Sequence, residues 1–213
     1  MRRAVNVTLA LLLMILALPL MLLIAVALRL TSAGPVVYTQ PRIGADRRDP
    51  DSPVPHAING RRQIDLGGRI FTIFKFRTMH VGSDLGGQVW ARPGDDRVTW
   101  VGRFLRTYHL DELPQFFNIL NGDMNLVGPR PEQPAIFYEM SDQIPGYPGR
   151  QKVPPGLTGW AQIQHRYDRT LDDVRRKLEL DLAYLRRRSP MEDMRILART
   201  VPAVMLGTEA KGL

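Results

Sequence analysis

Two adjacent carboxylates, Asp111 and Glu112, stand at the centre of the stretch from Arg103 to Glu132, RFLRTYHLDELPQFFNILNGDMNLVGPRPE. Leu110, Leu113, Phe117 and Leu120 follow a helical spacing, and Asn121-Gly122 is a stop signal. Pro114 belongs in the first turn, where its missing N–H is not needed. Both acids are therefore expected at or just before a helix N-terminus. Free amides and the positive dipole end favour ionised carboxylates there and also suit an incoming phosphate. Successive helical residues diverge by about 100°, so the two acids are expected to divide the work. One would attack while the other manages a proton or a metal. The plainer alternative is a helix-start signature with acids placed for the dipole.

Cations surround this pair. Arg103, Arg106 and His109 precede it, and Arg130 follows between Pro129 and Pro131. Proline on both sides restricts the backbone, and a fixed guanidinium suits bidentate phosphate recognition; a surface salt bridge is the other reading. Upstream, RIFTIFKFRTM from Arg69 to Met79 reads as a strand. Lys75 and Arg77 lie two apart on it, so they are expected to share a face, either as a cationic strip for phosphates or as an ordinary half-exposed strand. Downstream, Pro154-Pro155-Gly156 makes a stiff turn and Gly159 permits close approach. Trp160 either offers a flat surface to a base or lipid tail or packs that turn into the core.

The run LDELPQFFNILNGDMNLVGPRP resembles the signature of the bacterial sugar transferases, the monotopic polyprenyl-phosphate phosphoglycosyl transferases. KFRTM (75–79), PGLTGWAQ (155–162) and DLAY (181–184) resemble the same family in the same order. Together they cover nearly the whole chain. The resemblance implies transfer of a sugar 1-phosphate from a UDP-sugar to a polyprenyl (undecaprenyl) phosphate, giving a polyprenyl-diphosphate sugar and UMP. On that footing Asp111 is assigned as nucleophile, forming an aspartyl phospho-sugar. Glu112 is assigned as proton acceptor or metal ligand. A Mg²⁺ ion held by Asp111 and Glu112 is implied by the family and by the need to offset repulsion between carboxylate and diphosphate. Arg106 and Arg130 are expected to hold phosphate oxygens, with Lys75 and Arg77 as further candidates. The resemblance also places Thr158, Gln162 and Asp181 at the edge of the site.

The elements that must carry these residues follow from hydropathy and charge. Ala4 to Leu28 holds 25 residues without a charge, about 37 Å of helix and enough to span a bilayer core. It exceeds the usual apolar region of a signal peptide. Pro19 lies inside it, and arginines flank both ends, Arg2-Arg3 and Arg29, so the charge bias between sides is weak. These features suit either a Pro-kinked single span or a helix-break-helix that re-enters the same leaflet. The family resemblance implies the re-entrant form, although Leu18 stands where family members often have Ser before the proline.

Of the 29 basic residues, only Arg2, Arg3 and Arg29 fall in the first 30, where no acid occurs; the other 26 face 21 acids. That surplus suits anionic lipid or nucleotide substrates. Nucleic acid is not expected, since no aromatic-interleaved basic motif or zinc spacing occurs. The chain has no cysteine, which excludes disulfides and thiolate metal sites.

Gly34 to Gly44 reads as an extended segment. Ala45 to Gly68 reads as a solvated insertion, and the glycine-rich 81–96 stretch as a closing loop or a connector. A helix is expected from Gln133 to Met140. Thr170 to Ser189 is amphipathic through Leu171, Val174, Leu178, Leu182 and Leu185, with Arg175, Arg176, Lys177 and Arg186 to Arg188 as its basic side. It is read either as a leaflet-bound helix or as a core-packing one. Met191 to Leu206 forms another apolar-periodic segment.

The expected fold is α+β: an N-terminal re-entrant membrane hairpin over residues 1–33, then a domain over residues 34–213 lying on the cytoplasmic face of a bacterial inner membrane. That domain would carry a small β-hairpin or sheet and several amphipathic interfacial helices around one active site. Anionic inner-leaflet lipid is an expected partner, and exposed apolar surface near the membrane would support a homodimer. The competing functions are a catalytically silent membrane-surface scaffold and a membrane-tethered metal phosphohydrolase.

Overall fold

The apolar N-terminal run forms one helix, α1 (Arg2–Thr31), with Pro19 inside it. The computed structural model describes residues 2–46, 68–83, 95–164 and 170–205. No gap between two helices stands at Pro19: the residues of α1 remain helical through the proline. Pro19 withholds one N–H and crowds the carbonyl four residues back. The turns on either side nevertheless seat on the same body, which holds the two halves together. Ala10, Met21, Ile24 and Leu28 are buried, and Leu13, Met14 and Ala17 pack beside them. These positions recur at three- and four-residue steps, so they form one stripe.

Both ends of α1 are also tied by hydrogen bonds. Arg2 donates to the carbonyl of Arg188, and Arg3 donates to the carbonyls of Ile119 and Leu120. Asn6 accepts from the amide of Leu126 at 2.8 Å. At the other end Arg77 donates to the Ser32 carbonyl at 2.9 Å, the Ser32 hydroxyl at 2.7 Å and the Pro35 carbonyl at 2.6 Å. The faces of α1 turned away from the body, including Leu12, Leu16 and Leu23, are exposed. The helix is long and apolar enough to cross a membrane by length and composition.

After α1 the chain makes an antiparallel hairpin, β1 (Val37–Ile43) with β2 (Ile70–Phe76), paired from Val37 opposite Phe76 to Ile43 opposite Ile70. The expected insertion lies between these strands; its residues 47–67 are outside the described ones. Likewise residues 84–94 of the glycine-rich stretch are outside them. Helix α2 (Trp100–Thr107) starts at Thr99, whose side chain accepts from the Gly102 amide. Val101 and Leu105 of α2 pack on Met21, Ile24 and Leu28 of α1. Trp100 and Phe104 remain exposed, the latter with its ring 5.0 Å from Tyr108.

Helix α3 (Gln115–Asn121) ends at Gly122, whose φ of 90° is the left-handed conformation that favours glycine. Of the expected stripe, Leu110, Leu113 and Leu120 pack against the core, and Phe117 leaves it. Leu110–Glu112 winds as a 3-10 turn, so the α-helical phase starts only at Gln115. Phe116, Asn118 and Ile119 are therefore buried and Phe117 is half exposed.

Strand β3 (Asn125–Val127) pairs in parallel with β4 (Gly156–Thr158). The pairing brings the GPRP and PPGLTG segments together. A Cβ on Gly128 would lie 2.6 Å from the Pro154 carbonyl oxygen, so this approach needs glycine.

Helices α4 (Pro134–Gln143), α5 (Trp160–Gln164), α6 (Leu171–Arg187) and α7 (Pro190–Met205) complete the described fold. A capping box between Thr170 and Asp173 starts α6. Val174 and Leu178 of α6 join Ile43, Phe137, Met140, Ile144 and Tyr147 in one core cluster.

Lys75 and Arg77 were expected on one face, but β2 ends at Phe76 and Arg77 turns to the end of α1. There it satisfies carbonyls that the helix leaves open. Arg77→Met is therefore expected to destabilise the fold by about 2–3 kcal/mol while leaving substrate affinity unchanged, as measured by thermal unfolding and initial rates in detergent. An unaltered melt with a raised KM would return Arg77 to the substrate.

Candidate active site

The 3-10 turn that carries the acids is set by backbone conformation on one side and proline on the other. His109 adopts φ 52°, a left-handed conformation uncommon for a residue with a Cβ. Pro114 then caps α3. Between them Asp111 and Glu112 are almost buried, 6% and 5% exposed.

Asn118 fixes this turn against the hairpin. Its fully buried amide donates to the Thr72 carbonyl at 2.7 Å and accepts from the Phe74 amide at 3.0 Å. The edge of β2 is thereby satisfied, and Lys75 is brought onto the acids. Its Nζ lies 2.6 Å from Glu112 Oε1 and 3.6 Å from Asp111 Oδ2.

Arg130 comes from the loop after β3. Its Nη2 lies 2.6 Å from the same Glu112 Oε1, and its Nη1 donates to Oε2 at 3.4 Å. The loop itself is bonded from three directions. The amide of Gly156 donates to the Pro129 carbonyl, that of Ile43 to the Glu132 carbonyl, and Arg150 to the Arg130 carbonyl.

Behind the loop lies a buried ionic network. Arg150 Nη1 is 2.8 Å from Glu132 and its Nη2 is 2.7 Å from Asp181, while Lys177 reaches Glu132 at 2.8 Å. Burial opposes ionisation of Glu132, but Lys177 and Arg150 outweigh it and hold the carboxyl well below the usual range.

The two central acids differ electrostatically. Burial, the largest influence on Asp111, pushes its carboxyl up; Lys75 pulls it down and Glu112 pushes it further up. Burial acts on Glu112 in the same sense, but Arg130 and Lys75 outweigh it and hold Glu112 well below the usual carboxylate range. Glu112 is thus an ionised anchor for two cations. Asp111, by contrast, accepts no hydrogen bond among the described residues, its nearest cation being Lys75. A carboxylate free of hydrogen bonds is the better nucleophile of the pair.

The same asymmetry bears on metal binding. Among the described residues no group of three His, Cys, Asp or Glu side chains converges. Mg²⁺ takes one or two carboxylates and completes its shell with substrate phosphates and waters. Asp111 fits such a role. Glu112, with both oxygens taken by Lys75 and Arg130, does not fit as a ligand while that clamp holds.

Other expected site residues lie further off. Arg106 donates through Nε to Thr78 at 2.9 Å, and its charge reaches Asp111. Asp181 is a partner of Arg150 behind the Arg130 loop. The Thr158 hydroxyl bonds Thr200 of α7 at 2.8 Å, and Gln162 donates to the Leu157 carbonyl at 3.2 Å. Neither bonds the carboxylates, and both belong to the junction of β4, α5 and α7. The site brings in residues not expected from sequence: Asn118, Gln115, Arg42, Glu132 and Arg150. Glu132 was visible as the residue closing GPRPE, but a lone Arg150 in a turn carried no signal.

The sequence pattern of the family described as bacterial sugar transferase matches residues 1–207. The chain belongs to the bacterial sugar transferase family. It is 39% identical over 184 residues to a UDP-N-acetylgalactosamine-undecaprenyl-phosphate N-acetylgalactosaminephosphotransferase of Aeromonas hydrophila, covering 86% of this chain and 38% of that protein. It is 40% identical over 180 residues to a UDP-glucose:undecaprenyl-phosphate glucose-1-phosphate transferase of Caulobacter vibrioides, covering 84% of this chain and 60% of that protein. A putative undecaprenyl-phosphate N-acetylgalactosaminyl 1-phosphate transferase of Bacillus subtilis is 35% identical over 150 residues, which are 70% of this chain and 72% of that protein. The chain therefore spans less than two thirds of the length of the first two of these relatives. In this transferase family member the two adjacent acids occupy distinct environments.

That difference predicts opposite effects on stability. Asp111→Asn removes a carboxylate that burial disfavours, and is expected to stabilise the fold at pH 7 by about 1 kcal/mol, which is roughly 2–4 °C in Tm. Glu112→Gln leaves Lys75 and Arg130 without their counter-charge and should cost about 3 kcal/mol. The stability contributed by Glu112 is complete above the ordinary glutamate range and is lost as pH falls through its depressed value. Asp111, being raised, detracts from stability as pH climbs from the ordinary aspartate range through its own value. Thermal melts of both variants and the parent across pH 3–8 check each sign.

Proposed function

We propose that the protein transfers a sugar 1-phosphate from a UDP-sugar to undecaprenyl phosphate, releasing UMP, as the first membrane step of a bacterial glycan pathway. The observation that carries this reading is an Asp111 carboxylate that accepts no hydrogen bond among the described residues, beside a Glu112 clamped by Lys75 and Arg130. The names of the relatives, all sugar phosphotransferases or glycosyl transferases, support the substrate classes.

In the first step an Asp111 oxygen forms a bond to the β-phosphorus of the donor. The bond from that phosphorus to the bridging oxygen breaks, and UMP leaves with the electron pair. The product is an aspartyl phospho-sugar. In the second step an oxygen of the lipid phosphate bonds the same phosphorus and Asp111 departs as carboxylate, giving the polyprenyl-diphosphate sugar. The covalent route means that the two polyanions need not occupy the site together.

Lys75 and Arg130 act on the phosphates. As incoming phosphate oxygens draw these cations, Glu112 loses the partners that hold it ionised while its burial remains. Its proton affinity then rises, and it accepts the proton of the lipid phosphate. Glu112 is thus a base only in the loaded site. Arg106, whose charge reaches Asp111, adds positive potential there. When bound, Mg²⁺ supplies further neutralisation of the diphosphate, with Asp111 as its protein ligand.

The membrane arrangement follows from α1. With Arg2 and Arg3 bound at one end and Ser32 and Pro35 held by Arg77 at the other, both ends return to one body. A helix so tethered, bent at Pro19, lies in one leaflet and enters and leaves by the same face. Its outward leucines, with Trp100, Phe104 and Phe117, sink into lipid at the cytoplasmic face of the inner membrane. Exposed arginines of α6 favour anionic headgroups, and the exposed apolar faces would also serve a homodimer.

Intact-protein mass after mixing detergent-purified protein with a panel of UDP-sugars and Mg²⁺, without acceptor, tests the proposal. One phospho-sugar should be added by one donor, with UMP released, and Asp111→Asn should show neither. Free sugar phosphate released without acceptor would instead identify a hydrolase. Lipid binding with no adduct and no UMP would identify a scaffold.

A further inference from the structure

A small, partly open cleft is lined by Arg42, Ile73, Lys75, Gln115, Arg130 and Pro131, of which Lys75 and Arg130 also hold Glu112. Its polar lining consists of three cations and one amide, with no acid among them.

Two donors in that lining have no partner among the described residues. Gln115, 2% exposed at the first position of α3, leaves its Nε2 buried and unbonded. Arg42 likewise leaves Nε buried and unbonded. Its Nη2 donates to Gln40 Oε1 at 2.7 Å and its Nη1 only weakly to the Pro131 carbonyl at 3.5 Å. Among the described residues no carboxylate bonds Arg42, and its guanidinium is brought down to about 10 by burial and by the nearby Arg130. A buried donor left unbonded is costly, and two of them in one cationic cleft call for an acceptor with negative charge.

We propose that Arg42 and Gln115 form a binding subsite for a phosphate group, holding its oxygens through Arg42 Nε and Gln115 Nε2 while Lys75 and Arg130 face it from the side of Glu112. The subsite deepens the transferase reading, on which it depends only for the source of the phosphate, the diphosphate of the UDP-sugar or the headgroup of undecaprenyl phosphate. Neither residue is required to contact the reacting phosphorus. They position the polyanion that draws Lys75 and Arg130 from Glu112.

Inorganic pyrophosphate binding, followed by titration calorimetry on the full chain in detergent, reads the subsite directly. Gln115→Leu and Arg42→Gln are each expected to weaken it about tenfold to a hundredfold. Gln115→Glu, of equal size but opposite preference, should weaken it further. Gln115→Leu removes an unbonded polar group, so its Tm should hold or rise; a weakened ligand with an intact melt separates binding from folding. In turnover the same variants should raise one KM with little change in kcat. A shift in the UDP-sugar KM assigns the donor diphosphate, and a shift in the undecaprenyl phosphate KM assigns the lipid headgroup. Pyrophosphate affinity within twofold of the parent in Gln115→Leu and Gln115→Glu overturns the subsite. A parent protein that binds pyrophosphate through these residues but transfers no sugar overturns the transferase reading and leaves the subsite standing.

Discussion

Glu112 lies buried between Lys75 of β2 and Arg130 of the loop after β3, 2.6 Å from each. A charge removed from water at this depth is sustained only by partners of opposite sign with good geometry. The clamp therefore demands that three separate parts of the chain arrive together: the hairpin, the 3-10 turn before α3, and the proline-flanked loop. Much of the remaining structure serves that arrival. Asn118 closes α3 onto β2, the glycine contact between β3 and β4 aims the loop, and the ionic network of Arg150, Glu132, Lys177 and Asp181 supports the loop from behind.

The clamp also differentiates two neighbouring acids. Their backbone positions differ by one residue, yet one is held by two cations and the other is nearly without partners. A single turn thus presents both an anchored charge and a carboxylate that accepts no hydrogen bond among the described residues. The division of labour does not come from residue type, since both are carboxylates. It comes from which side of the turn the cations approach.

Helix α1 is bound to the same framework. Phe76 and Arg77, adjacent in sequence, both serve it: the ring packs with Leu28 and Ile24, and the guanidinium holds the carbonyls at its end. The strand that delivers Lys75 to Glu112 therefore also fixes the end of α1. Through that shared strand the apolar helix and the acids are fixed to one another.

The sequence by itself determined the class of this protein and most of its elements. Hydropathy marked α1, the leucine period marked α6, and the density of Ile and Phe marked β2, because each of these signals is local. The acids at a helix start were legible too, since Pro114 admits few other places. Tertiary structure alone decided what the charges do. Arg77 turned from the site to α1 because β2 stops one residue short of it, and Asp181 became a support because Arg150 lies across the core. Phe117 and Phe116 exchanged inside and outside because a 3-10 turn advances fewer residues per turn than an α-helix. Gln115 and Arg42 became visible as a pair only once β1 and α3 enclosed one cleft. Partners for a charge or a buried amide come from segments distant in the chain, and no local pattern records which segments meet.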